Sequence, residues 1–163
     1  MLIDAVIRFS VDKEKATNYL VYERIKMVHY SDCVVFLLAK AYQKAHGCLK
    51  KRVVEYGLTP IQVLVIEALR DEEGVSSGEL GKKLSLDSAT LSGVLERLAE
   101  KGWIVKETDE GDRRSLRIFL GDVAKELNEP IGEQRQKAND DVMRNLSTEE
   151  KVLLKRLLKD LDG

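Results

Sequence analysis

The stretch Asp87-Ser88-Ala89-Thr90-Leu91-Ser92-Gly93-Val94-Leu95-Glu96-Arg97-Leu98-Ala99-Glu100-Lys101-Gly102 decides how this chain folds. Leu91, Val94, Leu95 and Leu98 recur at the spacing of one helical face, Asp87 or Ser88 offers an N-cap, and Gly102 ends the run. The other face is unusual. A solvent face ordinarily carries Lys, Glu or Gln, but this one begins Ser88, Ala89, Ser92, Gly93. A glycine inside a helix costs about 1 kcal/mol relative to alanine. Small residues let a helix backbone approach a surface closely, and the hydroxyls of Ser88, Thr90 and Ser92 can reach base edges or phosphates.

On the N-terminal side, Thr59-Pro60 opens a helix with threonine at the cap and proline where a missing N–H costs nothing. Its expected core stripe is Ile61, Leu64, Val65, Ala68 and Leu69, and Gly74 ends the segment. Ser76 or Ser77 then caps a short helix carrying Leu80 and Leu84, and Leu86-Asp87 makes the turn. Further upstream, Asp12 opens a helix to about Met27 or His29, and a long helix beginning at Ser31-Asp32 runs to Tyr56 and closes on Gly57.

On the C-terminal side the period changes. Residues 103–107 and 115–119 read as two strands around a polar turn, Thr108-Asp109-Glu110-Gly111-Asp112-Arg113-Arg114. A helix is expected from about Asp122 to Asn145, interrupted near Pro130. Ser147-Thr148-Glu149-Glu150 is a capping box that opens a last helix with Val152, Leu153, Leu157, Leu158 and Leu161. Helix, helix, turn, helix and ribbon is the order of a winged helix-turn-helix, whose second helix enters the major groove. Arg113 and Arg114 at the ribbon tip suit a narrow minor groove, with Asp112 placed to pair with one of them.

Composition narrows the class. The chain has 163 residues, 44% hydrophobic and 34% charged, as expected of a soluble, mainly helical protein. Its 27 Lys and Arg stand against 28 Asp and Glu, so no global positive charge advertises a nucleic acid. From Ser76 to Phe119, eight bases balance eight acids. DNA contact must therefore rest on sidedness, with Lys82, Lys83, Arg97, Arg113 and Arg114 gathered on one face and with marked salt dependence. Two cysteines suit a reducing cytosol, no apolar run reaches the length of a membrane span, and the first residues lack the pattern of a signal peptide. A cytoplasmic location is expected. No Gly-rich phosphate loop, serine elbow or nucleophile-histidine spacing points to an enzyme, and no cofactor or metal is expected.

From about residue 34 to 161 the chain resembles the MarR family of bacterial regulators. The resemblance is carried by Tyr56-Gly57-Leu58-Thr59-Pro60-Ile61-Gln62, by Leu86 to Ser92, by Leu95 to Ile104, by the wing Asp109 to Ser115, and by Leu146 to Glu150. Glu110 stands where the family usually has proline. The resemblance implies a mainly α fold with a small β-wing. Residues 58–119 would form the DNA-binding lobe, and residues 32–57 and 120–163 the helical dimerisation region. Residues 1–31 lie mostly outside the match and are expected to extend the dimer, because an arm with Leu2, Ile3, Val6, Ile7 and Phe9 would not stay in water. It implies a homodimeric, ligand-responsive repressor on a pseudo-palindromic operator in double-stranded DNA. The expected DNA-binding residues are Ser76, Ser77, Lys82, Lys83, Ser88, Ala89, Thr90, Ser92, Gly93, Arg97, Asp112, Arg113 and Arg114.

A small phenolic or aromatic effector is the family's second habit, and Tyr42, His46, Tyr56 and Gln62 are the candidate polar groups of its pocket. Ordinary interface roles for these four are the competing reading. Cys33, near the start of a long helix, is the candidate for thiol-based redox sensing, since a helix N-terminus lowers a thiol pKa. An alternative from another class is a winged-helix scaffold that binds protein instead of DNA.

Overall fold

Four helix starts follow from a local capping signal. The computed structural model describes residues 29–109, 111 and 115–161. The chain divides into two compact units, Met1–Gln43 and Lys44–Gly163, with the division inside helix α1 (Val34–Val53). The expected helix after Asp12 and most of the proposed arm lie outside the described residues.

In the first unit, a 3-10 turn at Tyr30–Asp32 precedes α1, with the His29 ring accepting from the Ser31 N–H. The long helix therefore starts two residues later than Ser31-Asp32 suggests. The Tyr30 and Phe36 rings meet edge to face, with centroids 5.2 Å apart. Val34, Val35, Phe36, Leu37 and Leu38 are all exposed.

In the second unit, α1 gives way at Val53 to a 3-10 turn, Val54–Tyr56, closed by Gly57 in the left-handed conformation at φ 66°. Helix α2 (Pro60–Asp71) opens on a capping box, Thr59 with Gln62. Its buried face differs from the expected stripe: Val63 and Ile66 are buried, and Leu64 is 44% exposed. Apolar residues surround this helix on most sides, so spacing alone does not choose the inward face.

Next come a strand of two residues, β1 (Val75–Ser76), and then α3 (Ser77–Leu84) and α4 (Ser88–Glu100). Leu80, Leu91, Leu98, Val63 and Leu69 form the centre of the core, each 2% exposed or less. Strands β2 (Ile104–Thr108) and β3 (Leu116–Leu120) pair antiparallel, with Ile104 opposite Leu120 and Thr108 opposite Leu116. The expected two-stranded ribbon is present and gains a third strand. Strand β1 pairs with β3 and makes a three-stranded sheet in the order β1-β3-β2. Two residues carry no readable alternation, so their pairing is set by the fold around them.

The break expected around Pro130 falls at Leu127, which separates α5 (Asp122–Glu126) from α6 (Asn128–Val142). Pro130 falls in the first turn of α6, where its missing N–H breaks no helical bond. Only Ile131 and Ala138 of α6 are buried. Ion pairs add to these contacts. Arg52 donates to Asp141 at 2.6 Å, and Glu67 on α2 accepts from Arg135 at 3.2 Å and from Arg70 at 2.7 Å. The Arg135 Nε is buried without a partner.

Helix α7 (Thr148–Asp160) opens on the Ser147–Glu150 capping box. None of its residues is buried. Among the described residues, no helix is long and apolar enough to cross a membrane.

Gly121 shows how tightly the sheet end is packed. Its φ of -79° is open to any residue, but a Cβ there would run into the Gly102 carbonyl oxygen. We expect Gly121→Ala to lower unfolding stability by about 2–3 kcal/mol in urea titration, because backbone on both sides must move.

Candidate nucleic-acid interface

Two side-chain caps fix where the two helices of the motif begin. Ser76 accepts from the Glu79 N–H at 3.3 Å, while Glu79 Oε2 accepts from the Ser76 N–H at 2.7 Å and hydroxyl at 2.8 Å. Asp87, of the two cap candidates, caps α4: its Oδ1 accepts from the Thr90 N–H at 2.8 Å and its Oδ2 from the Thr90 hydroxyl at 2.6 Å. Between the helices Ser85 adopts φ 52°, the one non-glycine residue in the left-handed region among the described residues. Gly81 lets α3 lie against the turn. Its Cβ, if present, would meet the Leu86 carbonyl oxygen at 3.2 Å and Leu91 at 3.5 Å.

These constraints leave a cleft of about 390 Å³ between α3 and α4, lined by Ser77, Gly78, Gly81, Lys82, Ser85, Leu86, Ser88, Leu91 and Ser92. Ser77, Lys82, Lys83, Ser88, Ala89, Thr90, Ser92 and Arg97 are exposed, while Ser76 and Gly93 are half-buried. A Cβ at Gly93 would meet only the tip of Arg97, at 3.6 Å. The fold therefore has room for alanine at that position, and helix packing does not account for the glycine.

Several expected contacts have other partners. The Thr90 hydroxyl donates to Asp87, which commits its proton to the helix cap. Lys83 Nζ donates to the Ala68 carbonyl at 3.5 Å and lies 3.6 Å from Glu72, tying α3 to the end of α2. Lys82 faces the cleft. Asp112, Arg113 and Arg114 lie outside the described residues.

At the base of the wing, the Asp109 N–H donates to the Ser115 carbonyl at 3.0 Å and its carboxylate accepts from the Gly111 N–H at 2.8 Å. Arg117 donates to the same carboxylate. Sequence reading missed Gly81, Ser85 and Arg117. A glycine inside an amphipathic helix just before a turn was the available signal for the first; side-chain type gave none for the others.

Of the effector candidates, Gln62 is 4% exposed, and its Oε1 accepts from the Thr59 N–H at 2.8 Å and the Thr59 hydroxyl at 3.2 Å. Tyr56 packs against the core, His46 is half-buried, and Tyr42 is exposed. Cys33 is exposed, and its carbonyl accepts the first bond of α1, from Leu37 at 3.0 Å.

Residues 56–115 match a model described as MarR family. The HTH-type transcriptional regulator SarZ of Staphylococcus epidermidis is 31% identical over 109 residues, 67% of this chain and 70% of SarZ. The HTH-type transcriptional repressor NicR of Pseudomonas putida is 30% identical over 125 residues, 77% of this chain and 79% of NicR. Among solved structures, Bordetella bronchiseptica BpsR, whose DNA binding is regulated by 6-hydroxynicotinic acid, superposes with a TM-score of 0.78 at 28% identity, over 83% of this chain and 96% of that one. A cysteine-to-serine variant of E. coli MarR in complex with operator DNA gives 0.72 at 26% identity, over 77% and 90%.

The caps make the interface acid-sensitive. Hydrogen bonds from the Ser76 N–H and hydroxyl hold Glu79 below its ordinary 4.5, and those from the Thr90 hydroxyl and N–H hold Asp87 below its ordinary 3.8. A folded pKa below the unfolded one means stability that is complete above the unfolded value and lost as pH falls through the folded one. Melting temperature should therefore hold steady near neutral pH and fall below about pH 4.5. Thr90→Val, which removes the hydroxyl that donates to Asp87, should blunt that fall when both proteins are melted across the same series.

Proposed function

Because the chain belongs to the MarR family of DNA-binding transcriptional regulators, we propose that it acts as a homodimeric repressor on a pseudo-palindromic operator. Helix α4 enters the major groove of each half-site through Ser88, Ala89, Ser92 and Gly93. Lys82 and the N-terminal end of α3, with Ser76 and Ser77, face the phosphate backbone, as does Arg97. The wing carries Arg113 and Arg114 to the neighbouring minor groove, with Asp112 beside them. The observation that carries this reading is Gly93, a helix-weakening residue on an exposed face that the fold does not require.

Apolar exposure supports the dimer. Val152, Leu153, Leu154, Leu157, Leu158 and Leu161 on and beside α7 are all more than a third exposed, as are Val34 to Leu38 at the start of α1. A second copy that covers them removes this surface from water, at roughly 25 cal/mol per Å². Residues 32–57 and 120–163 are accordingly assigned to dimerisation, residues 1–31 to its extension, and residues 58–119 to the DNA-binding lobe. The two lobes then sit about one turn of DNA apart.

Release by a small aromatic acid or phenol completes the proposal. Such a ligand shifts the lobes only through different affinities for the bound and unbound spacings. Tyr42, His46 and Tyr56 are its candidate contacts. Gln62 is committed to its helix cap and contributes through the position of α2.

Two measurements check these assignments. Gly93→Ala should raise unfolding stability by about 1 kcal/mol while lowering affinity for a duplex selected from a random pool; unchanged or tighter DNA binding would reject the groove assignment. Wild type should sediment as a dimer, and Leu157→Asp combined with Leu158→Asp should give folded monomers with sharply weaker DNA binding. A monomeric wild type would overturn the dimer.

A further inference from the structure

The DNA-reading parts of the second unit are joined by one side chain that makes no expected DNA contact. Arg117 is the second residue of β3, opposite Ser76 on one side and Glu107 on the other. Its Nε donates to Asp109 at the base of the wing. Its Nη1 donates to the Gly74 carbonyl at 3.3 Å and to Glu79 Oε2 at 3.4 Å. Both ends of this span do further work. Asp109 also accepts from the Gly111 N–H, so it shapes the start of the wing turn. Glu79 closes the capping box that starts α3.

A planar guanidinium that bridges two carboxylates and a carbonyl holds them in a fixed relation, which a lysine ammonium does not reproduce. The three acceptors come from three segments: the wing, the β1 approach and α3. We propose that Arg117 is a positioning residue for DNA binding: it sets the angle between the wing and the helix-turn-helix, so that both reach one duplex at once. The proposal rests on the DNA-binding reading above and adds to it the residue that couples the two contact elements. Its role is exercised through Asp109 and Glu79, and Arg117 itself does not bind phosphate.

The test uses the full-length protein and a labelled random-sequence duplex of about 30 bp, longer than two half-sites one turn apart. Binding is followed by fluorescence anisotropy across a salt series, well below each variant's melting temperature. Arg117→Met, which keeps the aliphatic stem, should lose about tenfold in affinity, as expected for one charge-assisted hydrogen bond. The slope of log affinity against log salt should stay at the wild-type value. Lys82→Ala, which removes a phosphate-facing charge, should instead make the slope shallower by about 0.9 for each phosphate left without its cation.

Asp109→Asn should lose affinity similarly, and the double variant should be no worse than either single one, a coupling that two independent losses of stability would not produce. Arg117→Lys should recover less than half of the loss on a logarithmic scale. If Arg117→Met melts too low to assay, the Asp109→Asn and Glu79→Gln pair is put through the same cycle, and additive losses there overturn the clamp. Unchanged affinity in Arg117→Met, or a reduced salt slope, also overturns it. Failure of the wild type to bind any duplex at low salt would overturn the DNA reading itself, a result distinct from all of these.

Discussion

The approach of α3 to the turn after it governs everything that faces outward from the winged lobe. The Leu86 N–H donates to the Gly81 carbonyl at 2.9 Å, and any side chain at Gly81 would press on the Leu86 carbonyl oxygen. With the backbones this close, Ser85 is forced into the left-handed region and Asp87 arrives in position to cap α4. Leu80 and Leu91 then close the interior with essentially no exposure. The face of α4 that remains outside begins with the small residues Ser88, Ala89, Ser92 and Gly93 and continues to Glu96, Arg97 and Glu100.

From that junction the other elements attach in different ways. The sheet is joined through backbone pairing and the Gly121 contact, both intolerant of added volume. The caps use carboxylates whose partners are serine and threonine side chains, so they respond to acid and not to oxidation. The leucines of α7 are exposed among the described residues. The first two modes of attachment differ in sensitivity: volume for the sheet, protonation for the caps.

Capping chemistry was the most legible part of the sequence. Thr59-Pro60 and Ser147 with Glu150 mark helix starts that the structure reproduces, because a cap depends on near neighbours in the chain. The inward leucines of α4 were also legible, since one face is apolar and the other is not. Features that depend on distant partners were not. Strand β1 exists because β3 lies beside it, and α2 buries Val63 and Ile66 because of what surrounds it. The role of Arg117 spans 43 residues to Gly74 and 38 to Glu79, beyond any local pattern. The exposure of the small residues Ser88, Ala89 and Ser92 on α4 follows from the apolar pattern opposite them, yet the commitment of Thr90 and Lys83 to internal partners needed coordinates.

The polar docking of α6 has a thermodynamic signature. Its attachment combines the buried Ile131 and Ala138 with the ion pairs of Arg52 with Asp141 and Glu67 with Arg135, and it buries few other apolar side chains. Heat-capacity and denaturant effects scale with apolar area exposed, so detaching this helix would register weakly in calorimetry or urea. Added salt, which screens such pairs, would act on it more directly than on the leucine core. The helix that links the lobe to the last segment of the chain is thus fastened by a force that the ionic strength of its surroundings can tune, while the lobe keeps its shape.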